Sequence, residues 1–229
     1  MGRWEAWESK ERPSNTYSLK QYLLIQEAQK DIQPVLQKFL VAGLTRPCQS
    51  PYNTPILLVK KPNSEKYQFV QDLRAINEGV QDLHPVVPSP YTLITNIPGE
   101  YGWFSVLDLQ DALFCILLAE ESQLFDFEWH DPDIQTTQHC CWTVLPQGFK
   151  NFPMLFGTAL AKDLCHLQLQ EGLLLQHVDD LLIVSPTYEQ YLANTIKTLN
   201  HLAECGYKVS QKKAQICQKK VTYLGFTLS

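Results

Sequence analysis

The sequence predicts an α+β fold whose strands pair mainly as hairpins. Two observations carry this. Short runs rich in β-branched or aromatic residues come in pairs around turn signals: 56–61 with 66–73, 125–129 with 139–145, and the two halves of LLLQHVDDLLIV at 173–184. Apolar residues at helical spacing form separate blocks near 32–40, 153–169 and 188–205. An apolar content of 45% supports a real core, and 19% charged residues is ordinary for a folded chain of 229 residues.

Taken in order, residues 1–17 read as an irregular leader with Pro13 and few apolar anchors. A helical pattern begins at Ser18 and is strongest at Ile32, Val35, Leu36, Phe39 and Leu40. Pro34 should kink that helix or start a second one, and Gly43 should end it. Pro62-Asn63-Ser64-Glu65 turns the first hairpin, with Lys60, Lys61 and Lys66 near its tip. These lysines are either edge charges against aggregation or a basic flap over phosphates. Four prolines between His84 and Pro98 predict a stiff, extended crossing. Residues 102–109 read as a strand. Asp111 sits at a helix start, where it could cap. Leu192, Ile196, Leu199, Leu202 and Ala203 share one face of the last helix, which Gly206 stops. Strands resume at 207–209 and 221–228.

The bulk composition excludes some classes. Net charge is −5, against a uniformly basic nucleic-acid binder. Between Lys208 and Lys220, however, there are five lysines and no acid. This run is either a solvated face or a local basic patch. Seven cysteines without a CxxC pair read as free thiols of a reducing, intracellular compartment. The six histidines show no ligand spacing around the cysteines, which argues against zinc. No apolar run reaches the ~18 residues of a membrane span. Nor does the amino terminus have the apolar core of a signal peptide.

Two features demand chemistry. Asp179 and Asp180 interrupt the apolar run 173–184, and Asp108 interrupts Val106-Leu107-Leu109. Carboxylates in such surroundings mark a hairpin tip or a metal site. If the strands are neighbours, the acids could share two divalent cations, and oxygen donors favour Mg²⁺, with Mn²⁺ possible.

Six ordered blocks place the chain near a known family: CQSPYNTPILLVKKP, VQDLRAIN, VLDLQDALF, LPQGFKNFPMLF, HVDDLLI and KKAQICQKKVTYLG. From about Ser18 onward it resembles the fingers–palm part of a retroviral reverse transcriptase of the gammaretrovirus-like, endogenous kind. The resemblance implies a right-hand polymerase with an antiparallel palm sheet and no thumb. It divides the chain into first fingers part and linker at 18–98, and palm at 99–229. The palm stretch returns to the fingers near 119–150, and no ribonuclease H domain is included. The implied reaction is Mg²⁺-dependent transfer of a nucleotide from a deoxynucleoside triphosphate to a primer 3′-hydroxyl on an RNA or DNA template.

By position, the resemblance makes Asp108, Asp179 and Asp180 catalytic and metal-binding. Lys61, Asp72, Arg74, Leu113 and Gln147 would serve the nucleotide. His177, Lys212, Lys213, Tyr223, Leu224 and Gly225 would serve primer and template. Some residues depart from the family pattern. His177 replaces an aromatic, Gln68 an arginine, Leu113 the aromatic that excludes a ribose 2′-hydroxyl, and Gly157 an acid. These departures imply a weakened polymerase. The alternative is a decayed remnant acting as a nucleic-acid or protein interaction module.

Overall fold

A computed structural model describes residues 17–60, 65–83, 89–110, 114, 116–119 and 123–229. The chain forms two compact units. One takes Leu83–Ala112 and Pro153–Ser229; the other takes the described residues up to Asp82 and Leu113–Phe152. Lys61, Leu113, Asp111 and the 1–16 leader lie outside the described residues.

In the second unit, residues 18–25 are not helical as expected. They run extended, with Ser18 bridged to Asn53, and helix α1 begins only at Gln26 and ends at Val41. It continues through Pro34 rather than restarting there. Gly43, at φ +70°, ends it as the glycine predicted, with Leu44 N–H returning to Phe39 O. The first hairpin pairs β2 (Ile56–Lys60) with β3 (Tyr67–Gln71). It leads into the short helix α2 (Arg74–Gly79). A strand that sequence patterning missed, β1 (Thr45–Cys48), joins β5 (Phe127–Asp131) and β6 (Thr136–Trp142) in the order β1-β6-β5. Pro47 obscured it, and an edge strand is where a sheet tolerates proline. Phe39, Phe69, Phe127 and Trp142 pack ring on ring within this unit.

The first unit centres on β4 (Trp103–Gln110), flanked by β8 (Asp180–Ser185) and β10 (Gln215–Gln218). Next to β8 lies β7 (Leu173–His177), and β9 (Lys208–Val209) also pairs with β4; every pairing is antiparallel. One sheet face carries Phe104, Val106, Leu182 and Val184, packed with Val221 and Tyr223. The other meets α5 (Tyr188–Glu204). Contrary to the sequence reading, α5 buries Tyr191, Asn194, Thr195, Thr198 and Leu202, leaving Leu192 and Ile196 exposed. The sheet explains this, because it presents Ser105 and Ser185 to the helix. Ser105 hydroxyl pairs with Tyr191 and Thr195, and Asn194 Nδ2 donates to Ser185 Oγ at 3.0 Å.

Three further expectations are corrected. Within the proline-rich 84–98 stretch, Pro90–Thr95 is a short helix, α3, because Ser89 caps it and Pro90 suits its first turn. Residues 221–228 are not one strand but the hairpin β11 (Val221–Tyr223) and β12 (Phe226–Leu228). Leu224 and Gly225, at φ +49° and +83°, form its two-residue turn. Helix α4 (Phe152–Leu164) ends five residues before its expected limit.

Candidate active site

The antiparallel register of β4 and β8 sets Asp108 directly opposite Asp180. Both continue the face that carries Val106 and Leu182, since side chains alternate along a strand. Asp179 is not in a strand. It follows Val178 in the two-residue turn between His177 and Asp180, and its carbonyl accepts from Leu109 N–H at 3.2 Å. Asp180 begins β8, so the pair straddles turn and strand rather than sharing the turn. Val178 holds φ +53°, an unusual conformation for a β-branched residue.

Electrostatics here are those of carboxylates held too close. Burial first, then the charges of Asp179 and Asp108, push the Asp180 carboxyl above its ordinary value, opposed by His177 and Lys213. Lys213 Nζ lies 3.0 Å from Asp108 Oδ2, an ion pair that holds the ammonium in its charged form. A cleft of about 530 Å³ opens beside Asp108, lined also by Gln110, Ser210, Lys212 and Lys213. Three carboxylates in mutual repulsion, with oxygen donors only, fit a hard divalent cation. Their donor atoms are not drawn into one tight cluster. Among the described residues, that geometry is met by Cys48, Asp126 and Cys141 in the other unit.

Support comes from Gln176, which the sequence did not single out, and from Tyr223, which was expected to serve primer and template. Gln176 Nε2 donates to Val178 O at 3.2 Å and to Gly157 O at 2.9 Å, bracing the turn against α4. Tyr223 is 1% exposed, so its ring supports from beneath, with its hydroxyl 3.4 Å from Asp180 O. Of the expected primer-contacting triplet, Gly225 is exposed and Leu224 half-buried in the turn. Half-buried His177 sits opposite Asp180 in β7. Lys212 is exposed.

In the other unit, Asp72 is buried and Arg74 is exposed. Arg74 Nε and Nη2 donate to the two Asp72 carboxylate oxygens at 2.8 and 2.6 Å, and Tyr22 hydroxyl donates at 2.8 Å. Arg74, with Tyr22 assisting, holds the Asp72 carboxyl well below the usual carboxylate range. Gln147 is exposed in the turn before Gly148, which has φ +93°. Asn77 pins that turn: its Nδ2 donates to Gly148 O at 2.9 Å and its Oδ1 accepts from Lys150 N–H at 3.0 Å. Gln71 accepts from Trp142 Nε1 at 2.8 Å and donates to Thr54 Oγ1 at 2.6 Å. A lone polar residue whose partners lie up to 71 positions away leaves no local pattern to read.

An α+β chain with facing carboxylates on adjacent antiparallel strands and a third in the intervening turn has the architecture of the fingers and palm of a right-hand polymerase. Residues 59–228 match the family described as reverse transcriptase (RNA-dependent DNA polymerase), and the chain belongs to that family. It is 52% identical over 214 residues to the Gag-Pol polyprotein of Gibbon ape leukemia virus, covering 92% of this chain and 13% of that polyprotein. It is 51% identical over 215 residues to the Pol polyprotein of Feline endogenous virus ECE1, covering 93% of this chain and 21% of that protein. A foamy viral protease-reverse transcriptase solved in complex with dsDNA superposes with a TM-score of 0.79 at 27% identity, over 98% of this chain and 43% of that one. A second foamy viral structure, in complex with RNA/DNA hybrid, gives 0.79 at 29% identity, over 94% of this chain and 28% of that one. Among the described residues no helix is long and apolar enough to cross a membrane.

Proposed function

We propose that this chain carries out RNA-directed DNA polymerisation, joining a deoxynucleotide to a primer 3′-hydroxyl with release of pyrophosphate. The observation that carries this is the Asp108–Asp180 pairing with Asp179 in the adjacent turn, within a chain of the reverse transcriptase family. The unit built on β4, β7 and β8 acts as the palm. The unit built on the β2–β3 hairpin and the β1-β6-β5 sheet acts as the fingers.

Asp108, Asp179 and Asp180 are the residues that would hold the cation, read as Mg²⁺ from the all-oxygen donor set, with Mn²⁺ as the nearest substitute. When bound, such ions supply Lewis-acid stabilisation of the attacking and leaving oxygens. The protein's own groups orient and neutralise. Lys61, which lies outside the described residues, and Arg74 serve the triphosphate, while Asp72 fixes the guanidinium fork that Arg74 offers. Gln147, held by the Asn77-braced turn, serves nucleotide and template. Leu113, also outside the described residues, discriminates weakly against ribose. His177, Lys212, Lys213, Leu224 and Gly225 serve a nucleic-acid duplex of primer and template, with Tyr223 fixing the Leu224–Gly225 turn. Gln68, exposed on β3, offers a neutral amide to phosphate, which lowers triphosphate affinity relative to a guanidinium.

The test is primer extension on an RNA template by the full chain with Mg²⁺ or Mn²⁺, beside Asp179→Ala. Extension by the unaltered protein and loss in the variant is the expected result. Equal signals from the two proteins would sink the proposal.

A further inference from the structure

The fingers unit contains a buried donor cluster that polymerase chemistry does not use. Cys48 at the end of β1, Cys141 in β6 and Asp126 just before β5 bring two sulfurs and a carboxylate oxygen within 4.8 Å of one another. Cys48 Sγ lies 3.2 Å from Asp126 Oδ2. The register builds the cluster: Cys48 lies opposite His139, and Arg46, two residues before Cys48, lies opposite Cys141. All four therefore share one sheet face. Asp126 is 0% exposed, and its Oδ1 is buried with no hydrogen-bond partner; His139 Nδ1 beside it is buried and unpartnered too. Unsatisfied buried carboxylate oxygens and ring nitrogens are rare, and each asks for a compensating group. The backbone around Asp126 is rigid, since its carbonyl accepts from Thr54 N–H and Thr54 Oγ1, both at 2.9 Å.

We propose that Cys48, Cys141 and Asp126 bind one thiophilic divalent cation of the Zn²⁺ type, in a site separate from the palm carboxylates. Thiolate sulfur selects Zn²⁺ over Mg²⁺. Tetrahedral ligands at Zn–S distances of ~2.3 Å stand roughly 3.8 Å apart, a separation these donors reach by small side-chain shifts. Cys48 is half-buried, which leaves an entry path, and Arg46 faces Cys141 to offset the surplus negative charge of two thiolates and a carboxylate. Binding releases the two thiol protons to solvent. Because binding displaces thiol protons, affinity rises with pH.

This site does not depend on the polymerase reading, so its test uses the full chain with Asp108, Asp179 and Asp180 all changed to Asn. Zn²⁺ is added under reducing conditions and unbound metal is removed by gel filtration. One equivalent should remain, and Co²⁺ should give a thiolate charge-transfer band. Cys48→Ser and Cys141→Ser should each lose both signals, and Cys165→Ser neither. Because those variants can fail to fold, alkylation of the unaltered cysteines is followed by mass spectrometry. Zn²⁺ should slow labelling of Cys48 and Cys141 at least tenfold while Cys165 reacts as before. Absence of retained zinc, or equal labelling of Cys48 and Cys141 with and without Zn²⁺, overturns the proposal.

Discussion

Asp72 shows how one buried carboxylate can hold a charged network together. Its carboxylate takes both Arg74 donors and the Tyr22 hydroxyl, and its folded-state pKa is lowered. A lowered carboxyl pKa contributes stability above the ordinary carboxylate value, and that contribution is lost as pH falls through the folded value. Asp72→Asn should therefore lower the thermal midpoint at pH 7 by about 2–4 °C, the shift that ~1 kcal/mol produces in a chain of this size. The deficit should shrink as the pH drops below the ordinary carboxylate range. Melting curves across pH check this, and a deficit independent of pH would assign the loss to something other than charge. At this scale, Asp108, Asp179 and Asp180 were legible because an acid inside an apolar run is conspicuous. Gln71, Asn77 and Gln176 were not, because ordinary amides become hubs only when distant backbone reaches them.

Among the elements, the β7–β8 turn places a β-branched residue at positive φ. Val178 at φ +53° lies between His177 and Asp179, so its conformation sets the turn that carries Asp179. Asparagine tolerates the left-handed region better. Val178→Asn should raise stability by about 1 kcal/mol while reducing primer extension, read by denaturant unfolding and turnover on the same preparation. A loss of stability would place the strain elsewhere. Elements with strong local signals were legible: the β2–β3 hairpin, β4, β8 and α5 all lie where alternation or helical spacing put them. The buried face of α5 was not, because Ser105 and Ser185 on the sheet make Thr195 and Asn194 the better fit than Leu192 and Ile196. Nor was β1, whose Pro47 hides an edge strand.

For the whole molecule, a net charge of −5 coexists with the basic 208–220 segment, of which Ser210–Lys213 line the Asp108 cleft. If this segment meets the phosphate backbone, duplex binding should fall steeply with salt. Lys212→Ala should weaken binding uniformly across sequences and reduce the salt slope by about 1. Lys212 suits this test because it is exposed, whereas Lys213 is engaged with Asp108. Fluorescence anisotropy of a labelled primer–template across salt concentrations reads both, and an unchanged slope would remove Lys212 from the contact.

The sequence by itself determined the α+β class, the family and the three acids, because each is written in short ordered blocks or in the placement of charge within apolar runs. Tertiary structure decided which acid faces which: Asp108 meets Asp180 across the β4–β8 ladder, and Asp179 stands in the turn. It also brought Cys48 of β1, Cys141 of β6 and Asp126, just before β5, together into one buried group that spacing along the chain does not reveal. Register is the physical reason, since a one-residue slip reverses every side chain in a strand and pairing partners are fixed by the packed sheet rather than by local spacing.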